Sequence, residues 1–186
     1  MQSTGAPNGV APLAVGFPSR FARRRPVIAV VGRLRERRMN VNPSILEKIQ
    51  TYHDKYRHPR LARPAISEPY ALFPEDLASA HARYKWPDTW PHNESPGVYL
   101  IFGADMKLLY VGKATRIGSR LGAYFQYEKD TRGCRIAHAT WKTRPMFVVT
   151  VALEKAFEAN ALEAYLIAEL QPPENIQGVG KTIDQL

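Results

Sequence analysis

The chain of 186 residues contains a single cysteine, Cys134, and has no long apolar run. One cysteine excludes an internal disulfide and a cysteine-rich zinc site, and it suits a reducing compartment, so we predict a cytoplasmic protein. The longest purely aliphatic stretch, residues 27–31, is far shorter than the roughly 18 residues that span a bilayer. We therefore expect no membrane partner.

Acidic residues are almost absent from the first part of the chain. Residues 1–38 contain eight arginines and one acid, Glu36, although the whole chain has a net charge of only +9. Residues 1–26 are rich in Gly, Pro, Ala and Ser and show no helix or strand period, which is typical of disorder. Three interpretations of residues 1–38 stay open: a basic arm that follows phosphates, a targeting peptide, or translated sequence upstream of Met39.

The rest of the chain predicts an α/β fold, a small sheet (a hairpin plus a central strand) flanked by helices, with an N-terminal helical extension. We divide it into a helical and loop extension, residues 39–94, and a main domain, residues 95–186. Asn42-Pro43 is a typical start for a helix that ends near Tyr56. Further elements are predicted, in chain order, as a short helix at 74–84, a hairpin at 97–102 and 107–112, a helix at 117–126, a basic connection at 126–144, a strand at 145–152 and a helix at 154–170.

Each strand of the predicted hairpin carries a tyrosine. If Gly103 pairs with Met106 across the turn, Tyr99 lies directly opposite Tyr110 on one face of the sheet. Such a pair either only stabilises the hairpin or also takes part in chemistry, and the two residues alone favour the first interpretation.

The segment after the hairpin concentrates polar side chains at its end. Lys113 closes the second strand, and Arg116, Arg120 and Tyr124 follow at intervals of four, which places them on one face of the next helix. For Arg116 we expect an ordinary solvated charge. Arg120 is flanked by Leu121 and Tyr124, so we expect it at the border of the buried face.

The last helix carries an unusual carboxylate, Glu163. The side chains three, four and seven positions away from it are mostly apolar, whereas Glu154, Glu158 and Glu169 lie on the side of the helix where solvent is expected. A carboxylate on an apolar face is costly unless it is paired or binds a metal. Two interpretations follow, a buried salt bridge to Arg120 or a metal ligand.

Together these residues resemble the GIY-YIG nuclease family over residues 96–177. Gly97-Val98-Tyr99 and Tyr110-Val111-Gly112 correspond to the two tripeptides of the family, and Arg120, Glu163 and Asn175 to its arginine, metal-binding glutamate and late asparagine. Lys113-Ala114 and Tyr124 make the sequence most similar to the N-terminal incision domain of the excision-repair protein UvrC. Outside the domain it lacks that protein's long C-terminal region, so we expect a stand-alone nuclease of the restriction, mobile-element or repair type.

The resemblance implies hydrolysis of DNA phosphodiester bonds with Mg²⁺ or Mn²⁺ held by Glu163. Arg120 would bind the scissile phosphate, one tyrosine would orient or deprotonate the attacking water, and Asn175 would brace the site. We favour Tyr99 as the base and Tyr110 as the residue that positions water or phosphate, with Lys113 lowering the tyrosine pKa. The family pattern does not decide between the two tyrosines.

Candidate DNA-contacting residues lie mainly in the basic connection. They are Arg116, Arg132, Arg135, Lys142 and Arg144, with Trp141 as an accompanying aromatic side chain. An ordinary solvated loop is an equally good interpretation of this connection. Two other functions also stay open: a nucleic-acid-binding module on the same fold that no longer cleaves, and a structural protein whose Glu163 is merely paired.

Overall fold

The computed structural model describes residues 41–76, 82–138, 141–176, 180 and 183. The predicted basic arm, residues 1–38, lies outside this part of the chain. The elements, in chain order, are α1 (Pro43–Tyr56), β1 (Ala65–Ile66), β2 (Tyr70–Ala71), β3 (Tyr84–Lys85), β4 (Gly97–Phe102), β5 (Leu108–Ala114), α2 (Ile117–Tyr124), β6 (Phe125–Tyr127), β7 (Cys134–Ile136), β8 (Phe147–Ala152) and α3 (Glu158–Leu170).

Six strands form a mixed sheet in the order β3-β2-β8-β4-β5, and β1 pairs with the same side of β8 as β2. Strand β8 is central, as its β-branched and apolar sequence predicts. All six residues of β4 are buried, because this strand has a neighbour on each side and packed side chains on both faces. Strand β5 forms one edge of the sheet, and this edge carries the functional residues described below.

The two faces of the sheet bury different helices. Helices α1 and α3 cover one face, where Val98, Leu100 and Val149 meet Ile49 and Leu162. Helix α2 covers the other face, together with Tyr99, Ile101 and several aromatic side chains. The prediction of an α/β fold with a small sheet flanked by helices is therefore confirmed. No helix in the described part of the chain is both long and apolar enough to cross a membrane.

Helix α1 begins as predicted. The side chain of Asn42 accepts a hydrogen bond from the Ser44 N–H at 3.0 Å, and Pro43 occupies the first turn. Ile45, Ile49 and Tyr52 form its buried stripe, so the helical extension packs against the same sheet as the main domain.

The register of the hairpin differs from the prediction. Tyr99 pairs with Gly112, and Tyr110 pairs with Ile101. The turn contains three residues, the last of which, Met106, has a left-handed φ of 54°, and the register shifts again opposite Ile101 and Phe102. A longer turn followed by a bulge moves the second strand by two positions, so the two tyrosines are diagonal neighbours on one face rather than direct partners.

Two predicted segments have another structure. The basic connection contains a short antiparallel hairpin, β6 and β7, in which Phe125 pairs with Ile136 and Tyr127 with Cys134. The predicted helix at 74–84 is a turn at 74–76 and a strand at 84–85, and its residues 77–81 lie outside the described part. Strand β3 forms because it pairs in parallel with β2, a long-range contact that a local pattern does not reveal.

The buried carboxylate of α3 is Glu158, which we expected in solvent. Arg57, at the end of α1, holds it through two hydrogen bonds, Nε to Oε1 at 2.6 Å and a terminal nitrogen to Oε2 at 3.0 Å. Only 1% of the Arg57 side chain and 5% of the Glu158 side chain are exposed. The helix periodicity of α3 could not reveal this partner, because Arg57 lies 101 residues earlier in the chain. The pair ties the extension to the start of α3.

Candidate active site

The candidate site lies around the edge strand β5. Successive residues of a strand point to opposite faces, so Tyr110 and Gly112 lie on the α2 face and Lys113 on the α3 face. Because β5 is an edge strand, groups from both faces can meet around its open side. Residues from α2, α3 and the segment after α3 converge there.

Three tyrosines form a cluster on the α2 face. The ring of Tyr99 lies 6.2 Å from that of Tyr110 and 6.0 Å from that of Tyr124, measured between centroids. The Tyr99 hydroxyl donates a hydrogen bond to the Tyr124 hydroxyl at 3.2 Å. Tyr99 is only 2% exposed, whereas Tyr110 and Tyr124 are half-buried. Tyr99 is thus the internal support of the cluster, and the other two tyrosines border the surface.

The electrostatic surroundings distinguish the tyrosines further. Burial, followed by the hydrogen bond to Tyr124, raises the pKa of Tyr99 far above its usual range, and Arg120 opposes this only weakly. Burial, followed by the nearby Tyr124 and Glu163, raises the pKa of Tyr110 to about 12. Both phenols are therefore protonated at neutral pH, and ionisation is less costly for Tyr110 than for Tyr99.

Gly112 makes room for the tyrosine cluster. A Cβ at this position would lie 2.4 Å from both Cζ and the hydroxyl oxygen of Tyr99, and 2.7 Å from Cε1 of Tyr110. The phenol of Tyr99 passes directly over the glycine, its partner in the sheet. The position of the Tyr99 ring therefore requires glycine at position 112, which links the last residues of the tripeptides Gly97-Val98-Tyr99 and Tyr110-Val111-Gly112.

Glu163 lies on α3 and pairs with a lysine, not with Arg120. Its Oε2 is 2.8 Å from Nζ of Lys113, and the two side chains are 17% and 46% exposed, respectively. The alternative of a buried salt bridge to Arg120 is therefore wrong. The carboxylate is accessible at the edge of β5, and it also influences the phenol of Tyr110 electrostatically.

Arg120 is exposed on the first turns of α2, not at the buried border that we expected. Within the described residues no hydrogen bond or ion pair holds its guanidinium, which leaves all its donors to a ligand. Arg116 precedes α2 and pairs with Glu94 at 2.5 Å, with both side chains more than 60% exposed. The expectation of a solvated charge at Arg116 is confirmed.

Asn175 braces the edge strand itself. Its side-chain amide accepts a hydrogen bond from Val111 N–H at 2.9 Å and donates one to the Val111 carbonyl at 2.8 Å. The neighbouring Glu174 N–H donates to the Leu109 carbonyl at 3.0 Å. Because both polar groups of Val111 are held, the strand that carries Tyr110 and Lys113 is fixed in position.

Sequence reasoning missed how Trp141 and Glu174 contribute. Trp141 is half-buried between two tyrosines of the cluster, with ring centroids 6.0 Å from Tyr110 and 5.3 Å from Tyr124. The carboxylate of Glu174 accepts hydrogen bonds from the N–H groups of Lys142 and Thr143 at 3.2 and 3.1 Å, and so holds the segment that follows Trp141. Only the three-dimensional structure brings these residues to the site, since no motif spacing links them.

The remaining candidate DNA-contacting residues are exposed, but their surroundings differ. Arg132 lies in the β6–β7 turn with a left-handed φ of 54°, and Arg135 donates to the side chain of Gln126. Arg144 is held between Asp76, at 3.0 Å, and the ring of Phe73, at 3.8 Å from the centroid. Lys142 is exposed beside Trp141. These cations lie on the β6–β7 hairpin and the segment after it, rather than along one unstructured loop.

The family model of the UvrC-like GIY-YIG domain matches residues 95–176. These residues form a GIY-YIG domain. Curated relatives agree: the UvrABC system protein C of Pseudomonas aeruginosa (strain LESB58) is 43% identical over 81 residues, 44% of this chain and 13% of the relative. That of Zymomonas mobilis is 41% identical over 81 residues, 44% of this chain and 12% of the relative. The chain thus covers only about an eighth of the length of these relatives, within the GIY-YIG domain.

Among solved structures, the GIY-YIG domain is similar to the N-terminal endonuclease domain of UvrC from Thermotoga maritima. That crystal structure contains magnesium, described as the catalytic divalent cation of that protein. The identity is 26%, the match covers 46% of this chain and 88% of the other, and the TM-score is 0.32. The resemblance to the GIY-YIG family is confirmed by the match of residues 95–176 to the family model and by the identity to the curated relatives.

Proposed function

We propose that the protein is a metal-dependent endonuclease that hydrolyses DNA phosphodiester bonds through its GIY-YIG domain. The observation that carries this proposal is the meeting of Tyr110, Lys113 and Glu163 at the edge of β5, inside a domain of that family. Relatives named for the UvrABC repair system support DNA as the substrate. We further propose that it acts in the cytoplasm, because one cysteine suits a reducing compartment.

The residues at the site fit a hard divalent cation such as Mg²⁺ or Mn²⁺. Among the described residues no group of three or more His, Cys, Asp or Glu side chains gathers in one place, so the protein offers one carboxylate, that of Glu163. Mg²⁺ commonly takes one or two carboxylates and completes its shell with waters and substrate phosphate. When bound, the cation supplies Lewis-acid neutralisation of charge on the scissile phosphate. Glu163 would hold it, in exchange for its present partner Lys113.

The chain's own side chains divide the remaining tasks. Arg120, exposed and without a partner in the described part of the chain, binds the scissile phosphate and the charge that develops in the transition state. Tyr110 orients the attacking water through its half-buried hydroxyl. We assign this role to Tyr110 and not to Tyr99, because Tyr99 is buried and its hydroxyl already donates a hydrogen bond to Tyr124.

A tyrosine with a pKa near 12 is a poor base at neutral pH, so the site must supply positive charge to lower it. Our candidate for this charge is Lys113, which pairs with Glu163 at the same edge strand, together with the bound cation. The pair with Glu163 compensates the charge of Lys113. A cation held by Glu163 would leave the ammonium of Lys113 free to act on the tyrosines at the edge of β5. Asn175 does not reach the reaction itself but keeps β5 in place.

The exposed cations around the site support the same proposal. Arg132, Arg135 and Lys142 are exposed, and the ion pairs of Arg116 and Arg144 are also exposed. Exposed pairs contribute at most about 1 kcal/mol, so phosphate groups can replace their acidic partners.

The decisive experiment compares Glu163→Gln with Glu169→Gln. Both glutamates lie on α3 and pair with a lysine, Glu169 with Lys48 at 2.5 Å, so the second variant controls for loss of a helix-surface ion pair. We expect Glu163→Gln to reduce cleavage of supercoiled plasmid and branched DNA by about a hundredfold or more, because the cation contributes several kcal/mol. Glu169→Gln should cleave normally.

A readout independent of turnover completes this test. Mn²⁺ binding, followed by electron paramagnetic resonance, should be lost in Glu163→Gln and kept in Glu169→Gln. Equal Mn²⁺ binding in both variants, or cleavage that continues in EDTA, would contradict the proposal. DNA binding without cleavage by the unmodified protein would instead identify a non-cleaving binding module.

A further inference from the structure

The α2 face of the sheet extends away from the site as a row of aromatic rings. All three tryptophans of the chain, Trp86, Trp90 and Trp141, pack there and stay only partly buried. Hydrophobic burial alone would favour enclosing such large side chains. We call the surface formed by these three residues and Tyr127 the aromatic flank.

The rings are continuous from the active site to the β6–β7 hairpin. All distances in this row are between ring centroids. The ring of Tyr110 lies 6.0 Å from that of Trp141, and Trp141 stacks on the buried Phe125 at 5.5 Å with an interplanar angle of 23°. Phe125 contacts Trp90 at 5.9 Å, and Trp90 contacts Trp86 at 6.0 Å. The row ends at Tyr127, which stacks on Trp86 at 6.3 Å with an angle of 18°.

The far end of this row is open to solvent. Tyr127 is 50% exposed, although it pairs with Cys134 within the hairpin and its ring lies over that of Trp86. The indole N–H of Trp86 is buried and has no hydrogen-bond partner within the described residues. An exposed ring stacked on another ring is a poor way to close a core, but it offers a flat face to a ligand.

Cations accompany the rings along the flank. Lys85 precedes Trp86 and Lys142 follows Trp141, and both are exposed; Arg135, also exposed, lies on the other face of the hairpin, where it pairs with Gln126. The nearby acids are engaged, since Asp88 accepts from the Lys85 N–H at 3.2 Å and Glu128 from the Thr131 hydroxyl at 3.0 Å. Exposed rings interleaved with cations are the composition of surfaces that bind single-stranded nucleic acid.

We propose that the aromatic flank binds the unpaired bases of a single-stranded arm beside the cleavage site, so that the protein prefers DNA with a single-strand junction to continuous duplex. The bases of a duplex are stacked on one another and cannot lie on these rings, whereas every unpaired base offers a face to them. Tyr127 is the outermost platform, and Trp141 is the residue of the flank that contacts Tyr110. The inference rests on the proposed DNA cleavage and adds the substrate class.

The test uses Tyr127→Ala, Tyr127→Phe and a matched control, Tyr56→Ala. Tyr56 is 56% exposed and also contacts neighbouring rings, but it lies on α1, against the opposite face of the sheet. Each is combined with Glu163→Gln to prevent cleavage, and Kd is measured by fluorescence anisotropy in EDTA. The two probes are a duplex with a single-stranded arm and a fully paired duplex of equal length.

We expect Tyr127→Ala to weaken binding of the arm-bearing DNA by about fivefold or more, since stacking on one base contributes about 1 kcal/mol or more. Binding of the fully paired duplex should change by less than about twofold. Tyr127→Phe, which keeps the ring, and Tyr56→Ala should bind both probes as the parent does. An equal loss on both probes, or no loss on either, would overturn the proposal.

A second measurement needs no Tyr127 variant. With 2-aminopurine at successive positions of the arm, stacking on the flank should quench the fluorescence at defined positions, and unchanged fluorescence at every position would also overturn the proposal. Cleavage by the protein with intact Glu163 is assayed in parallel. Binding that prefers the arm and depends on the Tyr127 ring, without any cleavage, would refute the proposed nuclease function but support base binding by the aromatic flank. Cleavage without any preference for the arm would support the nuclease function and refute base binding by the flank.

Discussion

Alanine at position 112 would place a methyl group against the ring of Tyr99. The new Cβ would lie 2.4 Å from Cζ and from the hydroxyl oxygen of Tyr99, whereas carbon atoms in contact are about 3.5–4.0 Å apart. Tyr99 is 2% exposed and its hydroxyl is bound to Tyr124, so the ring has no free space to enter. Overpacking of this kind costs about 1–3 kcal/mol.

A smaller effect acts in the opposite direction. Among the described glycines only Gly97 and Gly180 have a left-handed φ, so alanine can adopt the backbone conformation of position 112. Replacement of glycine at such a position stabilises a protein by about 0.4–1 kcal/mol through the unfolded state. We therefore expect Gly112→Ala to lower the free energy of unfolding by a net amount of about 1–2 kcal/mol.

Urea unfolding, followed by circular dichroism, measures this change. Gly122→Ala is the control, because Gly122 is exposed on α2 and a Cβ there meets no atom within 4 Å. It should be neutral or stabilising by up to about 1 kcal/mol. In the double variant Gly112→Ala/Tyr99→Leu the clash is relieved, so its destabilisation should be smaller than the sum of the single changes by about 1 kcal/mol. Strict additivity, or equal effects of the alanines at 112 and 122, would refute the reasoning.

Three further predictions concern other parts of the fold. Arg57→Met leaves the carboxylate of Glu158 buried and unpaired, which should lower the free energy of unfolding by about 3–5 kcal/mol. The double variant Arg57→Met/Glu158→Leu should recover most of this loss. A loss under about 1 kcal/mol for Arg57→Met in urea titrations would contradict the prediction. Burial lowers the pKa of His92 below its usual value, so the unfolded chain takes up its proton first and stability falls as the pH drops below about 6.5. His92→Gln should make the midpoint of urea unfolding less pH-dependent over pH 5–7, and an unchanged profile would exclude this residue as a cause. Burial raises the pKa of Cys134 to about 12, so a thiol reagent at pH 8 should label it slowly in the native protein and rapidly in urea; fast native labelling would show that the thiol is accessible.

The sequence allowed the main elements to be predicted, because their signals are local. The start of α1 follows from Asn42-Pro43, and the central position of β8 from its apolar, β-branched residues. Of the residues that match the family motif, Tyr110, Lys113, Glu163 and Asn175 meet at the edge of β5. Alternation along a strand and spacing along a helix carry this information directly.

The errors share a different cause, since each depended on a contact between distant segments. The register of Tyr99 and Tyr110 depends on the turn that ends at Met106 and on the bulge in β5, which the residue pattern of the hairpin does not encode. Glu158 is buried because Arg57 reaches it, not because of its place on the helix. For the same reason the alternative that paired Glu163 with Arg120 named the wrong basic partner, and the importance of Trp141 beside Tyr110 was missed.

The amide of Asn175 has a consequence for how molecules of this protein meet one another. An edge strand exposes unpaired N–H and C=O groups, which can recruit a strand from another chain. At the middle of β5 those groups are already occupied, Val111 by both ends of the Asn175 amide and Leu109 by the N–H of Glu174. The Asn175 side chain makes the two hydrogen bonds to Val111 that a neighbouring strand would otherwise make, so the sheet ends there. The edge that carries Tyr110 and Lys113 is thus shielded from strand-to-strand aggregation, although no further strand of the described residues covers it.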